Sequence, residues 1–359
     1  MPLRCSCGSM SVRTVGHTAL RAAFWTAGMA LALPNRAIAA QITPPDYGFQ
    51  WSTIGTPGNR GLLASEATFE RNIGRGSVDH TYRLAQTEIT NAQWLQFVQA
   101  YGPYYLQDHP THDQITALTG DGIDYLFGPW VMSPSTNPNA PANMGWRYAA
   151  MYCNWLCNGK RTDRAAFETG AYNVSTFTQN TDGSLNDQLV HTPGAAFWIP
   201  TLDEWFKAAY FDPNMVGPDG QLGAYQKFVG GSDSPLPAGD PASGGLTNVN
   251  CDGPTSVASY PACGPWGLFD QSGGVSEWTE TMAALNLRNV RFVAGSRFVP
   301  HGDGFNGWAD LNAFTVNSAR SDLYAIATGL RIASSVPGPG GFSLFCVANV
   351  FLLRRRVVS

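Results

Sequence analysis

Glycine and proline interrupt this chain too often for long helices: 39 glycines and 24 prolines are spread through 359 residues. Glycine frees the backbone for left-handed turns, and proline removes a hydrogen-bond donor and fixes φ, so both end regular elements. With 44% hydrophobic residues, 12% aromatic and only 13% charged, the chain can still bury a large core. The pattern predicts short helices and short strands joined by many turns and excludes a helical bundle. The formal net charge is −4, and no basic block occurs in the core. That makes nucleic acid an unsuitable partner.

Three helices are legible. Thr90 is positioned as an N-cap, and Trp94, Phe97, Val98 and Tyr101 follow at helical spacing. A second helix is expected from Gly145 to Leu156, with Tyr148, Met151, Tyr152, Trp155 and Leu156 on one apolar face. The third has the clearest start: in Thr201-Leu202-Asp203-Glu204 the hydroxyl can accept from the N3 amide while Glu204 returns to the Thr201 amide. Trp205, Ala208 and Ala209 then face inward, and Asp212-Pro213 marks its end. Residues 102–142 and 214–247 read as loop, and 158–196 as a polar excursion over the surface. Asn248 to Ala333 reads as short strands joined by long turns. There is no internal repeat and no linker, so 47–334 is expected to be one domain.

Both ends carry signals of another kind. Arg4, Arg13 and Arg21 precede the apolar run Ala22–Leu33 and the small-residue stretch Ala37-Ile38-Ala39-Ala40, so residues 1–40 read as a secretory signal cleaved near Ala39 or Ala40. Residues 336–359 place a Pro/Gly hinge, the apolar stretch Phe342–Leu353 and Arg354-Arg355-Arg356 in that order. Such a tail engages a membrane transiently with its basic end inside. It resembles the PEP-CTERM sorting signal of Gram-negative bacteria: Pro337 and Pro339 match, whereas Gly338 replaces the usual glutamate. The resemblance implies a sorting protease as partner. It also implies delivery to the periplasm, outer surface or extracellular matrix. Between the two cuts remain Cys153, Cys157, Cys251 and Cys263. Cys251 and Cys263 flank a Pro/Gly-rich loop and could pair in an oxidising compartment, whereas Cys153 and Cys157 lie i,i+4 on a helix. Without CxxC spacing or a nearby histidine they do not make a zinc site.

Several segments in order resemble one family. They are Tyr82–Ala85 with Glu88-Ile89-Thr90-Asn91-Ala92-Gln93-Trp94; Trp146 with Tyr152-Cys153-Asn154-Trp155-Leu156; Pro200–Trp205; Gly267-Leu268-Phe269-Asp270 with Glu277-Trp278-Thr279; and Gly295-Ser296, Arg320 and Gly329-Leu330-Arg331. Together they are similar to the formylglycine-generating enzyme (sulfatase-modifying factor) family over about 47–334. The resemblance implies an α+β fold of irregular, C-type-lectin-like kind, with few helices, short strands and many loops.

It also implies where cations bind. The family holds calcium through a side chain, two carbonyls and a glutamate, which here correspond to Asp270, Gly273, Val275 and Glu277. Carboxylate and carbonyl oxygens suit that hard ion. Without an ion, Asp270 would cap a loop and Glu277 would meet an arginine such as Arg331. A second family site corresponds to Asn248, Val249, Asp252 and Pro254, where the loop is shortened. The family's copper(I) centre uses two cysteine thiolates, soft donors for a soft ion. Val299 and Gly304 stand at those positions, and Ser276 replaces the tryptophan before the glutamate, so copper is not expected. Two other metal sets were weighed: His301 with Asp303 and Asp310, and Asp108-His109-Pro110-Thr111-His112-Asp113, where Pro110 argues against a helix presenting both histidines. The expected function is a non-catalytic, calcium-stabilised module that binds an exopolysaccharide or surface component. The alternative is a diverged metal-dependent oxidase or hydroxylase.

The export reading has a direct test. In a host with the sorting system, intact-mass analysis should show a chain that begins near Gln41 and has lost its tail. A protein retaining both Met1 and Ser359 would overturn it.

Overall fold

Two reciprocal capping boxes fix where the main helices begin. In the computed structural model, which describes residues 44–337 except 68, 232–233, 250, 252, 262–263, 284–289 and 299–316, helix α1 spans Asn91–Asp108. The Thr90 hydroxyl accepts from the Gln93 amide, and the Gln93 side chain accepts from the Thr90 amide at 3.0 Å. Each bond satisfies a helix-end donor that would otherwise lack a partner. The expected leader, and the expected sorting tail from residue 338 onward, lie outside the described residues.

Helix α1 runs further than its sequence indicates. It continues through Gly102 and Pro103 to Asp108, and is followed by the short helix α2, Ile115–Thr119. Gly102 is what lets the continuation pack: a Cβ there would lie 2.1 Å from the Trp130 indole nitrogen. Pro103 forfeits one helical hydrogen bond, but Tyr105 resumes the buried face and its hydroxyl reaches the Asp113 carbonyl at 2.7 Å. Trp130 lies on β4 (Trp130–Met132), which pairs with β3 (Ile123–Tyr125) as a hairpin, so the expected loop 102–142 holds a helix end, a helix and two strands.

Helix α3, Trp146–Cys157, buries Tyr148, Met151, Tyr152, Trp155 and Leu156 as its spacing predicts. Its Tyr152 meets Trp94 and Phe97 of α1 with ring centroids 5.4 and 5.5 Å apart. Residues 158–196 are not a surface excursion throughout. They include α4 (Ala165–Glu168) and bury Phe167, Ala171 and Tyr172. The cause is Asn154, fully buried on α3: its amide donates to the Phe167 and Tyr172 carbonyls at 2.9 and 2.8 Å and accepts from the Tyr172 amide at 2.7 Å. Cys153 is buried, and Cys157 points at the Phe197 carbonyl at 3.5 Å. Cys263, the expected partner of Cys251, lies outside the described residues.

The strands are short, as expected. β1 (Trp51–Ile54), β2 (Tyr82–Ala85), β5 (Phe197–Trp198) and β12 (Ala333–Ser335) form an antiparallel sheet in the order β1-β2-β12-β5. A second sheet has the order β10-β9-β8-β11, built from β8 (Ser276–Met282), β9 (Val290–Ala294), β10 (Asn317–Arg320) and β11 (Thr328–Gly329). Only its β8–β11 pairing is parallel. The hairpin of β6 (Phe211–Val216) and β7 (Leu222–Tyr225) occupies sequence expected to be loop. This is an α+β fold with short elements and long irregular connections. Among the described residues no helix is long and apolar enough to cross a membrane.

Helix α5, Leu202–Tyr210, begins at Thr201 with the predicted box. Its Glu204 does more than cap. The buried carboxylate also accepts from Trp198 Nε1 at 3.2 Å and pairs with His80 Nε2 at 2.9 Å. That bond raises His80 to about 9, against the opposing effect of burial. A raised histidine pKa contributes stability that is complete below the unfolded value and disappears as pH climbs through the folded one. Melting temperature should therefore decline between about pH 6.5 and pH 9, and His80→Gln should flatten that slope. A wild-type profile level across the window would contradict the assignment.

Candidate functional site

The turn entering β8 is shaped by three left-handed residues: Asp270, Gly273 and Gly274 have φ of 57°, 94° and 60°. The two glycines serve close approach as well as conformation. A Cβ on Gly273 would lie 2.2 Å from Asn248 Oδ1, and one on Gly274 would lie 2.1 Å from Glu88 Oε1. The turn is thus clasped by side chains from distant segments. Asn248 Oδ1 accepts from the Gly274 amide at 2.7 Å, and the Ser296 hydroxyl accepts from the Gly273 amide at 2.9 Å. The Phe298 amide donates to the Gly274 carbonyl at 3.0 Å, so the segment after Gly295-Ser296 runs against this turn.

Beneath the turn lies a buried charge cluster. Arg331, fully buried, donates through Nε and Nη2 to Glu277 at 2.6–3.0 Å. It also donates to the carbonyls of Ala85, Gln86 and Phe269. Glu277 in addition accepts from Trp205 Nε1 at 2.5 Å. Glu88 is buried beside them: its Oε1 meets the Val275 amide at 3.4 Å, and its Oε2 has no hydrogen-bond partner and lies 3.7 Å from Arg331 Nη2. Burial first, then the charge of Asp270, pushes the Glu88 carboxyl well above its ordinary range, and burial likewise raises Asp270. With Glu88, Asp270 and Glu277 all ionised, one paired guanidinium leaves two negative charges in excess.

Of the first expected calcium set, Asp270, Gly273 and Val275 lie on the turn and Glu277 on β8. Their partners here are those of the ion-free alternative: Asp270 Oδ2 accepts from the Ala258 amide, and Glu277 is paired with Arg331. Of the second set, Asn248 and Val249 are buried, Asn248 is committed to Gly274, and Asp252 lies outside the described residues. The Asn248–Gly274 bond ties the two sets together, a link the sequence did not disclose. Glu88 was legible as part of a motif but not as part of a site, because an acidic residue just ahead of a helix N-cap ordinarily faces water.

Asp108, His109 and His112 do not converge. Asp108 pairs with Arg164 at 2.8 Å, the His109 ring stacks on Tyr105 with centroids 4.6 Å apart, and His112 stands edge-on to Tyr125 at 5.3 Å. Among the described residues no group of three His, Cys, Asp or Glu side chains is gathered to hold a metal ion. A set of two carboxylates completed by carbonyls is a different arrangement from that. Val299, His301, Asp303, Gly304 and Asp310 lie outside the described residues.

A family model described as "Sulfatase-modifying factor enzyme 1-like domain" matches residues 59–336. Among solved structures, CarF is similar at 17% identity and TM-score 0.46, covering 81% of this chain and 99% of that one. Treponema denticola variable protein 1 is similar at 16% identity and TM-score 0.48, covering 80% and 95%. PvdO from Pseudomonas aeruginosa is similar at 13% and 0.42, covering 82% and 97%. No curated protein sequence matches the chain.

The buried pair sets a strong expectation. Glu277→Ala removes the only carboxylate within bonding distance of the buried Arg331 and leaves it three carbonyls, which should cost about 3–5 kcal/mol. Urea unfolding measures this. A loss below about 1 kcal/mol, the range of exposed pairs, would mean that the pair is not closed to solvent.

Proposed function

Because the chain belongs to the sulfatase-modifying factor enzyme 1-like domain family, as the match over 59–336 establishes, we propose that it is an exported, non-catalytic member that binds or scaffolds at the cell surface or in the matrix and is stabilised by calcium. The observation that carries the non-catalytic reading is chemical. No cysteine occurs from residue 264 to residue 345, and Val299 and Gly304 stand where the resemblance expects the copper thiolates. An apolar branched side chain and a glycine offer copper(I) no donor. His301 alone is one borderline nitrogen and cannot replace two thiolates.

The calcium reading is supported by charge. Two buried carboxyls, Glu88 and Glu277, and the half-buried Asp270 gather around one guanidinium, an excess of acidic groups that a divalent cation would match by holding them ionised. Asp270 and Glu277 would offer side-chain oxygens and Gly273 and Val275 carbonyls. Asn248, Val249, Asp252 and Pro254 would form the second set. The exopolysaccharide or surface component proposed as partner would meet the loops. Among these, the β3–β4 hairpin tip carries Leu126 and Phe127, 59% and 92% exposed, the latter at φ 51°. A β-turn that holds a large apolar residue outward in a left-handed conformation is shaped for contact rather than for its own stability.

Two measurements test the proposal. A CxPxR peptide incubated with the domain, copper, reductant and oxygen should keep its cysteine; conversion to the aldehyde, read by mass spectrometry, would refute the non-catalytic reading. Calcium should raise the melting temperature and chelator should lower it, by about 2.7 kcal/mol of stability at a hundredfold excess over the dissociation constant. Identical melting in calcium and in chelator would refute the calcium reading.

A further inference from the structure

Glu88 Oε2 presents an unsolved cost. A buried carboxylate oxygen without a donor loses its hydration and gains nothing in return. This one is enclosed, has no hydrogen-bond partner and lies 3.7 Å from Arg331 Nη2. The same Nη2 is 2.6 Å from Glu277 Oε1 and 2.8 Å from the Phe269 carbonyl. The guanidinium therefore lies between two glutamates and is bonded to one of them. A displacement of about 1 Å would bring it within bonding range of the other.

Resting on the calcium reading above, a second requirement follows. If the cation takes Glu277, the Arg331 bonds to that carboxylate are lost or shared, and a buried guanidinium is left in need of an acceptor. We infer that Glu88 is that acceptor: Arg331 exchanges Glu277 for Glu88 when calcium claims Glu277. Glu88 is then a positioning residue for the cation and not one of its ligands. This role accounts for Gly274, since a Cβ at that position would displace Glu88 from the turn.

The test is calorimetric titration of the mature domain with calcium chloride, together with melting in chelator and in calcium, for wild type, Glu88→Gln and Asp270→Asn. Glutamine keeps the shape but removes the charge that would hold Arg331. No bond to Oε2 is lost in the ion-free form, so Glu88→Gln should melt in chelator no lower than wild type. Its calcium affinity should fall about tenfold or more, the loss of a charge-assisted bond. Asp270→Asn should weaken calcium whatever Glu88 does. Unchanged affinity in Glu88→Gln, with calcium still binding wild type, would overturn the exchange and leave the calcium reading standing. So would a lower melting temperature in chelator with unchanged affinity, which marks a purely structural role. A wild type that binds no calcium would overturn both. If Glu88→Gln does not fold, Glu88→Asp serves instead: it keeps the charge, draws the oxygen away from Arg331, and should also bind calcium more weakly than wild type.

Discussion

Arg331 is the interaction on which the site depends. Its guanidinium is enclosed on every side and donates to Glu277 on β8, to the carbonyls of Ala85 and Gln86 at the end of β2, and to the Phe269 carbonyl before the turn. Those acceptors come from three separate stretches of chain, so one planar fork holds the first sheet, the second sheet and the acidic turn in register. Arginine suits this role because it stays charged and presents fixed donors in several directions at once. Three acidic side chains, Glu88, Asp270 and Glu277, gather around this one cation.

What the sequence disclosed and what it hid divide along the range of the forces involved. Local chemistry was readable: the Thr201 box starts α5 where predicted, and α3 occupies Trp146–Cys157 against an expected Gly145–Leu156. Contacts with distant partners were not. Gly102-Pro103 reads as a helix stop, and only the indole of Trp130 packed against Gly102 shows why α1 continues. Residues 158–196 read as polar surface because the side chain that draws them inward, Asn154, lies on a helix that precedes them. The β6–β7 hairpin was missed because Asp212-Pro213, a good helix terminator, sits inside its first strand.

The site was legible as a list but not as a network. Asp270, Gly273, Val275 and Glu277 follow from the motif they match; the first three lie on the turn and Glu277 on β8. That Glu88 presses on Gly274, that Asn248 clasps the same turn, and that the chain after Ser296 runs against it are facts of tertiary packing. Each requires a glycine whose reason lies in a residue far away in sequence. Spacing cannot report such a reason.

The order of the first sheet has a bearing on how the chain comes to be folded at all. Among the described residues β12 is the last strand in the sequence, yet it lies inside the sheet, between β2 and β5, and its pairings span most of the domain. Until residues 333–335 have emerged, β2 and β5 have no bridge between them, and the Arg331 fork that locks the two sheets is missing as well. Such wide loop closures are slow to form. A nascent chain of this design therefore cannot lock its fold early, and it stays pliable for as long as these residues are missing.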